Sequence, residues 1–306
     1  MRAVVTVAIV AGFLTALFFG GNYGLRLATV FAMYATLALS WNIIGGFAGY
    51  PSFATAAFFG LGTYASAILQ SLGMPMPVAW MLGGLIAAGF AAVIGLAILH
   101  LKGHYFAIAS LALVEVLREL VNINAELTGG GMGLNLPVTR GDITQQAIYF
   151  LAAMLGLALI TQLVTAVVHR GKLGFALRCI QQNEDAAVML GVNARLFKAA
   201  GFTLSALFPG VAGGIYASWV HYIDPGDVFD ILLSVKPLVM VLVGGLGTLF
   251  GPVIGAAVFL GLEEAVWRSF LTIHAAVLGG LIVALVLFLP NGLMSLTRRR
   301  LGVSKS

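Results

Sequence analysis

The chain has 306 residues, of which 60% are hydrophobic and only 9% charged, and its mean hydropathy is +1.04. Water-soluble domains are less apolar and about a quarter charged, so this composition excludes a soluble globular protein and implies an integral membrane protein. A single cysteine, Cys179, excludes an internal disulfide.

A spanning helix takes roughly 20 mostly apolar residues. Windows of that kind fall at 4–19, 25–44, 53–72, 78–99, 105–123, 146–168, 199–220, 231–243, 253–266 and 273–289. The expected fold is therefore all-α: a polytopic bundle of about ten membrane segments in one transmembrane domain, 1–306. The first run follows Arg2 like a signal peptide, but it meets Gly20, Gly21 and Asn22 and then a second span, so it is read as retained. The eighth and ninth segments are short and read as half-spans or a re-entrant pair, which leaves eight to ten crossings. The long aqueous segments are 124–142 and 169–198. The first contains "TGGGMGL", a turn-rich loop whose glycines suit positive φ; no strand precedes it and no Gly-Lys-Ser/Thr follows, so it is not a nucleotide loop.

Ten crossings from a cytoplasmic N-terminus place 100–104, 169–198 and the C-terminus on one side. That side collects 11 of the 16 basic residues; Arg26, Arg118, Arg140, Lys236 and Arg268 lie elsewhere. The opposite side carries Glu126, Asp142, Asp224, Asp227 and Asp230. Lys and Arg concentrate in cytoplasmic loops, so both termini and 169–198 are expected in the cytoplasm. This bias accounts for the net charge of +5 without a nucleic-acid partner.

Within 169–198, "NEDAAVMLG" reads as a short helix. Asn183 caps it, Glu184 and Asp185 suit the dipole of its first turn, and Gly191 ends it. Ala186, Ala187 and Leu190 supply one small apolar face. Two readings stand on the residues alone: docking into a groove of a cytoplasmic partner, or an amphipathic connector resting on headgroups.

Two glycine-rich breaks form a weak repeat. In "IIGGFAGYPSFATAAFFGLG" Gly45, Gly46, Gly49 and Pro51 correspond to Gly244, Gly245, Gly247 and Pro252 of "LVGGLGTLFGPVIGAAVFLG". Paired interruptions suit a solute pathway, where freed backbone groups bind charged ends. Tight packing of small residues, as at Gly45/Gly49, Gly210/Gly214 and Gly251/Gly255, is the competing use. Lys236, one short helix from the second break, either faces that path or snorkels to the interface. Glu115, Arg118 and Glu119 share a helix face, and Glu115–Arg118 suits a structural ion pair. Glu263 and Glu264 flank the ninth segment. The five histidines have no metal-ligand spacing, so no metal site is expected.

"LKGHYFAIASLALVEVLREL", "TGGGMGL", "GFALRCIQQNEDAAVMLGV" and "VLVGGLGTLFGPVIGAAVFLGLEE" occur in an order and spacing that resemble the membrane subunits of branched-chain amino-acid (Liv-type) ABC importers. The resemblance covers about 25–292 and is closer to the LivM-like than to the LivH-like permease. The acid-Ala-Ala-x3-Gly pattern of Asp185, Ala186, Ala187 and Gly191 is similar to the permease loop that docks on the ATPase, and Glu115-x-x-Arg118 is similar to the family pattern at its helix. The resemblance implies a pore subunit in the bacterial inner membrane. Its partners would be a LivH-like permease, two cytoplasmic ATP-binding subunits that hold ATP and Mg, and an extracytoplasmic binding protein. This chain has no Walker A pattern, so neither ATP hydrolysis nor a cofactor of its own is expected. Branched-chain amino acids are the implied cargo, with related small polar solutes such as other amino acids, urea or amides also carried by such systems. The alternative is an ion-coupled secondary transporter working through Glu115 or Glu263, which would have no use for a docking loop. A membrane enzyme finds no support in paired carboxylates or a nucleophile motif.

Overall fold

In the computed structural model, residues 21–137 and 142–269 are described, with isolated positions at 279, 280 and 293. The expected segment 4–19, and 273–289 apart from positions 279 and 280, lie outside the described residues, as do Arg140 and both termini.

The described chain is helical apart from two short paired strands. Its α-helices of six residues or more are α1 (Gly21–Trp41), α2 (Thr55–Ser71), α3 (Met76–Ile98), α4 (His104–Ile123), α5 (Ile143–Arg170), α6 (Lys172–Gln182), α7 (Glu184–Met189), α8 (Ala194–Val220), α9 (Leu232–Gly244) and α10 (Gly251–Ser269). Each described long segment expected from the sequence coincides with one of them. Four are long and apolar enough to cross a membrane: α1 with the turn that continues it, α3, α5 and α8. The all-α expectation holds. By this measure α2 is too short at 17 residues, and α4 carries Glu115, Arg118 and Glu119. The short eighth segment is a 13-residue helix, about 20 Å long against a hydrocarbon core of about 30 Å. The ninth extends to 19 residues.

The core is built on α8, which packs on α2 and α3 where side chains are smallest. A Cβ on Gly62 would strike the Gly210 backbone, and one on Gly210 would meet Ala87 and the Gly84 Cα. Gly214 lies against Ser66 and Trp80. The Gly210/Gly214 spacing therefore does what small-xxx-small spacing allows, bringing backbones together where no hydrophobic effect drives association. Fully buried Phe58, Phe106 and Phe202 fill the space below by edge-on stacking.

The loops sort by charge to two ends. At the basic end Lys102 and Lys198 reach α7 through Asp185 and Glu184. At the other, acidic end β1 (Leu134–Asn135) pairs antiparallel with β2 (Tyr222–Ile223), and the Tyr222 hydroxyl donates to the Met132 carbonyl. Gly129, Gly130 and Gly133 adopt positive φ in that loop, as its composition suggests. Past β2 the chain turns back into the bundle. Phe229 seats its ring against Gly60, and the fully buried Ser234 accepts from the Ala56 amide at 2.9 Å and donates to the Phe53 carbonyl at 2.6 Å. The starts of α2 and α9 thus meet inside the protein, where Ser234 satisfies one of the N–H groups that a helix start leaves without a partner.

Candidate functional site

The helix expected at 183–191 forms, with the expected ends. The Asn183 side chain accepts from the Ala186 amide at 3.0 Å. Gly191 takes φ +88°, its N–H reaching the Val188 carbonyl while Val192 N–H reaches Ala187, the paired bonds of a Schellman exit.

Its faces are not as expected. Ala187 is 2% exposed and packs into the protein's own core, so Ala186, Ala187 and Leu190 do not form one outward face. Instead Val188, Met189 and Leu190 stand outward, Met189 at 90% exposure. A helix of six residues ends before its periodicity can be judged.

Glu184 turns inward, toward a group that the linear pattern does not display. Lys198, 4% exposed in the second turn of α8, donates to Glu184 Oε1 at 2.6 Å, to the Leu99 carbonyl at 2.8 Å and to the Tyr50 hydroxyl at 3.0 Å. Tyr50 in turn donates to Glu184 Oε2 at 2.7 Å, and its ring centroid lies 4.9 Å from the ammonium. Four segments thus meet at one ammonium: the loop after α1, the end of α3, α7 and α8. Burial raises the Glu184 carboxyl, but hydrogen bonds from Lys198 and Tyr50 and the Lys198 and Lys102 charges outweigh it and hold the group below its ordinary value. Burial, then the bond and charge of Glu184, push the Tyr50 phenol up, which keeps it a donor. Asp185 faces outward and meets Lys102 at 3.2 Å, an exposed contact of little energetic weight.

The two glycine breaks, 200 residues apart in sequence, touch each other. Past α1 the helix widens into a π turn over Asn42–Phe47. The fully buried Asn42 accepts from the Gly247 amide and donates to the Thr248 carbonyl, both at 3.0 Å. A Cβ on Gly46 would strike the Asn42 amide oxygen and crowd Gly247 N. Gly45 is filled by the Trp41 ring and Gly49 abuts Gln181, so Gly45 and Gly49 do not share one packing face. Gly244 closes on Gly251, and Gly245 and Gly247 take positive φ. Gly46 and Gly247, bridged by Asn42, clasp the two breaks together, and Gly45, Gly49, Gly244 and Gly245 flank that contact along the chain. Lys236 is not with them: it lies two turns away along α9, donates to Glu263 at 2.7 Å, and lines a cavity to which none of those glycines contributes. Arg118 and Glu115 approach at 3.5 Å on an exposed face of α4. Among the described residues no cluster of His, Cys, Asp or Glu could hold a metal ion.

Sequence reasoning missed Tyr50, Asn42 and the inward role of Lys198. Only weak signals mark them: a tyrosine between Gly49 and Pro51, an asparagine in an apolar run, and a lysine followed by "AAGF".

Four helices long and apolar enough to cross a membrane, one of them continued by a π turn, mark a multi-pass membrane protein. The chain belongs to the family described as branched-chain amino acid transport system, permease component, whose model matches residues 23–289. It is 29% identical to the high-affinity branched-chain amino acid transport system permease protein LivM of Escherichia coli K12, over 90% of this chain and 71% of that protein. It is 23% identical to LivH of the same strain, over 87% and 92%. It is 21% identical to a probable LivM of Methanocaldococcus jannaschii, over 86% and 91%. No solved structure matches the chain. Membership among components of a transport system does not favour the self-contained ion-coupled carrier.

Proposed function

We propose that this chain is the membrane-spanning permease subunit of an ATP-driven ABC importer for branched-chain amino acids or closely related small solutes. The observation that carries the reading is α7: a capped helix at the basic end, presenting Val188, Met189 and Leu190 outward while Glu184 locks it to the bundle. Three adjacent exposed apolar side chains suit a groove on a partner, and the lock gives that partner something rigid to push. α7 is then the coupling helix, with Glu184, Asp185, Ala186, Ala187 and Gly191 as its framework and 169–198 as the coupling segment of a single domain. The breaks at Gly45, Gly46, Gly49, Gly244, Gly245 and Gly247 border the solute route, and Glu115–Arg118 is a structural pair.

The relatives' names, which include both LivM and LivH permeases, support a second, LivH-like permease as partner. Two cytoplasmic ATPase subunits holding ATP and Mg, an extracytoplasmic binding protein and the lipid bilayer complete the assembly; this chain carries no cofactor. Ten segments with both termini in the cytoplasm of a bacterial inner membrane fit the basic asymmetry.

Uptake in proteoliposomes tests the class. Leucine import should require ATP on the ATPase side and survive a protonophore; import driven by an ion gradient without ATP sinks the reading. Thiol labelling in intact cells tests orientation, with Cys179 first replaced. Glu126→Cys should react with an impermeant reagent and Arg195→Cys should not.

A further inference from the structure

A cavity of about 610 Å³ opens at the acidic end between α1, α9 and α10. Part of its lining is aliphatic or aromatic: Leu27, Val30, Met33, Phe59, Leu233 and Leu260. The rest is charged. Lys236 and Glu263 are paired at 2.7 Å with side chains 23% and 29% exposed, and the Tyr34 ring centroid lies 5.4 Å from the ammonium. Asp227, Asp230 and Glu264 line it as well. Lys236 stands about 6 Å along α9 from Leu232, the exposed first residue of that helix. Pro237 lacks an N–H, so the carbonyl of Leu233 has no donor four residues on.

We propose that this cavity is a solute site for an aliphatic amino acid in its zwitterionic form, which enters by opening the Lys236–Glu263 pair. The solute carboxylate takes the Lys236 ammonium, and its own ammonium takes the Glu263 carboxylate. One internal ion pair becomes two, and the net charge of the cavity does not change. Neither Lys236 nor Glu263 is left without a partner, which is what a half-buried charge requires. The branched side chain lies on the aliphatic lining, where burial is favourable. A purely anionic solute would meet four carboxylates with one lysine, and a purely cationic one that took Glu263 would leave Lys236 without its partner. The inference rests on the importer reading and adds to it the charge type of the solute and the two side chains that receive it.

Thermal unfolding of the purified complex, without its binding protein, provides the test. The probes are L-leucine, its methyl ester (cation only) and isocaproate (anion only). In the wild type, leucine should raise the unfolding temperature at concentrations where neither analogue does. In Lys236→Met the half-saturating leucine concentration should rise roughly tenfold or more and the ester should become the preferred ligand. In Glu263→Gln isocaproate should become preferred. A structural ion pair would lower the baseline in both variants without reversing the preference, and that result overturns the proposal. So does a wild type that ignores leucine or binds an analogue equally well, an arm that needs no variant to fold. ATP-dependent leucine uptake by the wild type with its binding protein reports on the importer reading separately. Intact uptake with no preference reversal removes this site and leaves that reading standing.

Discussion

Lys198→Met isolates the node between α7 and the bundle. Methionine keeps most of the apolar stem and removes only the ammonium, and with it three bonds: to Glu184 at 2.6 Å, Leu99 at 2.8 Å and Tyr50 at 3.0 Å. What remains is a Glu184 carboxylate, 18% exposed, with Tyr50 as its single donor in the node. Breaking a buried pair from one side costs about 3–5 kcal/mol. Water reaches part of Glu184, so the expected loss is about 2–3 kcal/mol. Lys198→Met/Glu184→Gln removes the stranded charge and should recover more than half, leaving about 1 kcal/mol for the bonds themselves. The pair also has a pH signature. The folded-state pKa of Glu184 lies below its ordinary value, so its contribution is complete above the ordinary carboxylate range of about 4.3 and is lost as pH falls through the lowered value. Wild type should therefore lose stability in acid relative to Glu184→Gln. The assay is unfolding of the purified complex against denaturant, with substrate-stimulated ATPase activity measured in parallel. Stimulation should fall further than basal hydrolysis, because the node joins the docking helix to the loop after α1. A single-variant loss under about 0.5 kcal/mol, or a double variant no better than the single, refutes the reasoning.

Gly191→Ala should destabilise by about 1 kcal/mol and Gly191→Pro by more, since φ +88° is closed to proline and the Val188 bond is lost; denaturant unfolding of each measures it. Ala187→Arg should lower the permease's own stability, because Ala187 faces the core, whereas Met189→Arg should leave folding unchanged and weaken co-purification of the ATPase subunits. The reverse pattern would restore Ala187 to the docking face. Asn42→Ala should cost about 2 kcal/mol by stranding the Gly247 amide and Thr248 carbonyl inside the clasp, read as faster thermal inactivation.

The membrane class, the helices, the caps of α7 and the turn glycines were all legible in the sequence, because each depends on neighbours within a few residues: hydrophobic run length, an asparagine before a helix, a glycine after it. What the tertiary structure decided is which distant residues meet. Nothing local tells that Lys198 reaches Glu184, Tyr50 and Leu99, that Asn42 spans 205 positions to Gly247, or that Lys236 takes Glu263. Nor does helical periodicity say that Ala187 packs inward, since α7 is too short to show a face and its orientation is set by Glu184 anchoring it. In an apolar chain nearly every helix face is hydrophobic, so pattern no longer separates core from lipid. The few polar side chains then select the packing, by needing partners that only the folded chain can supply.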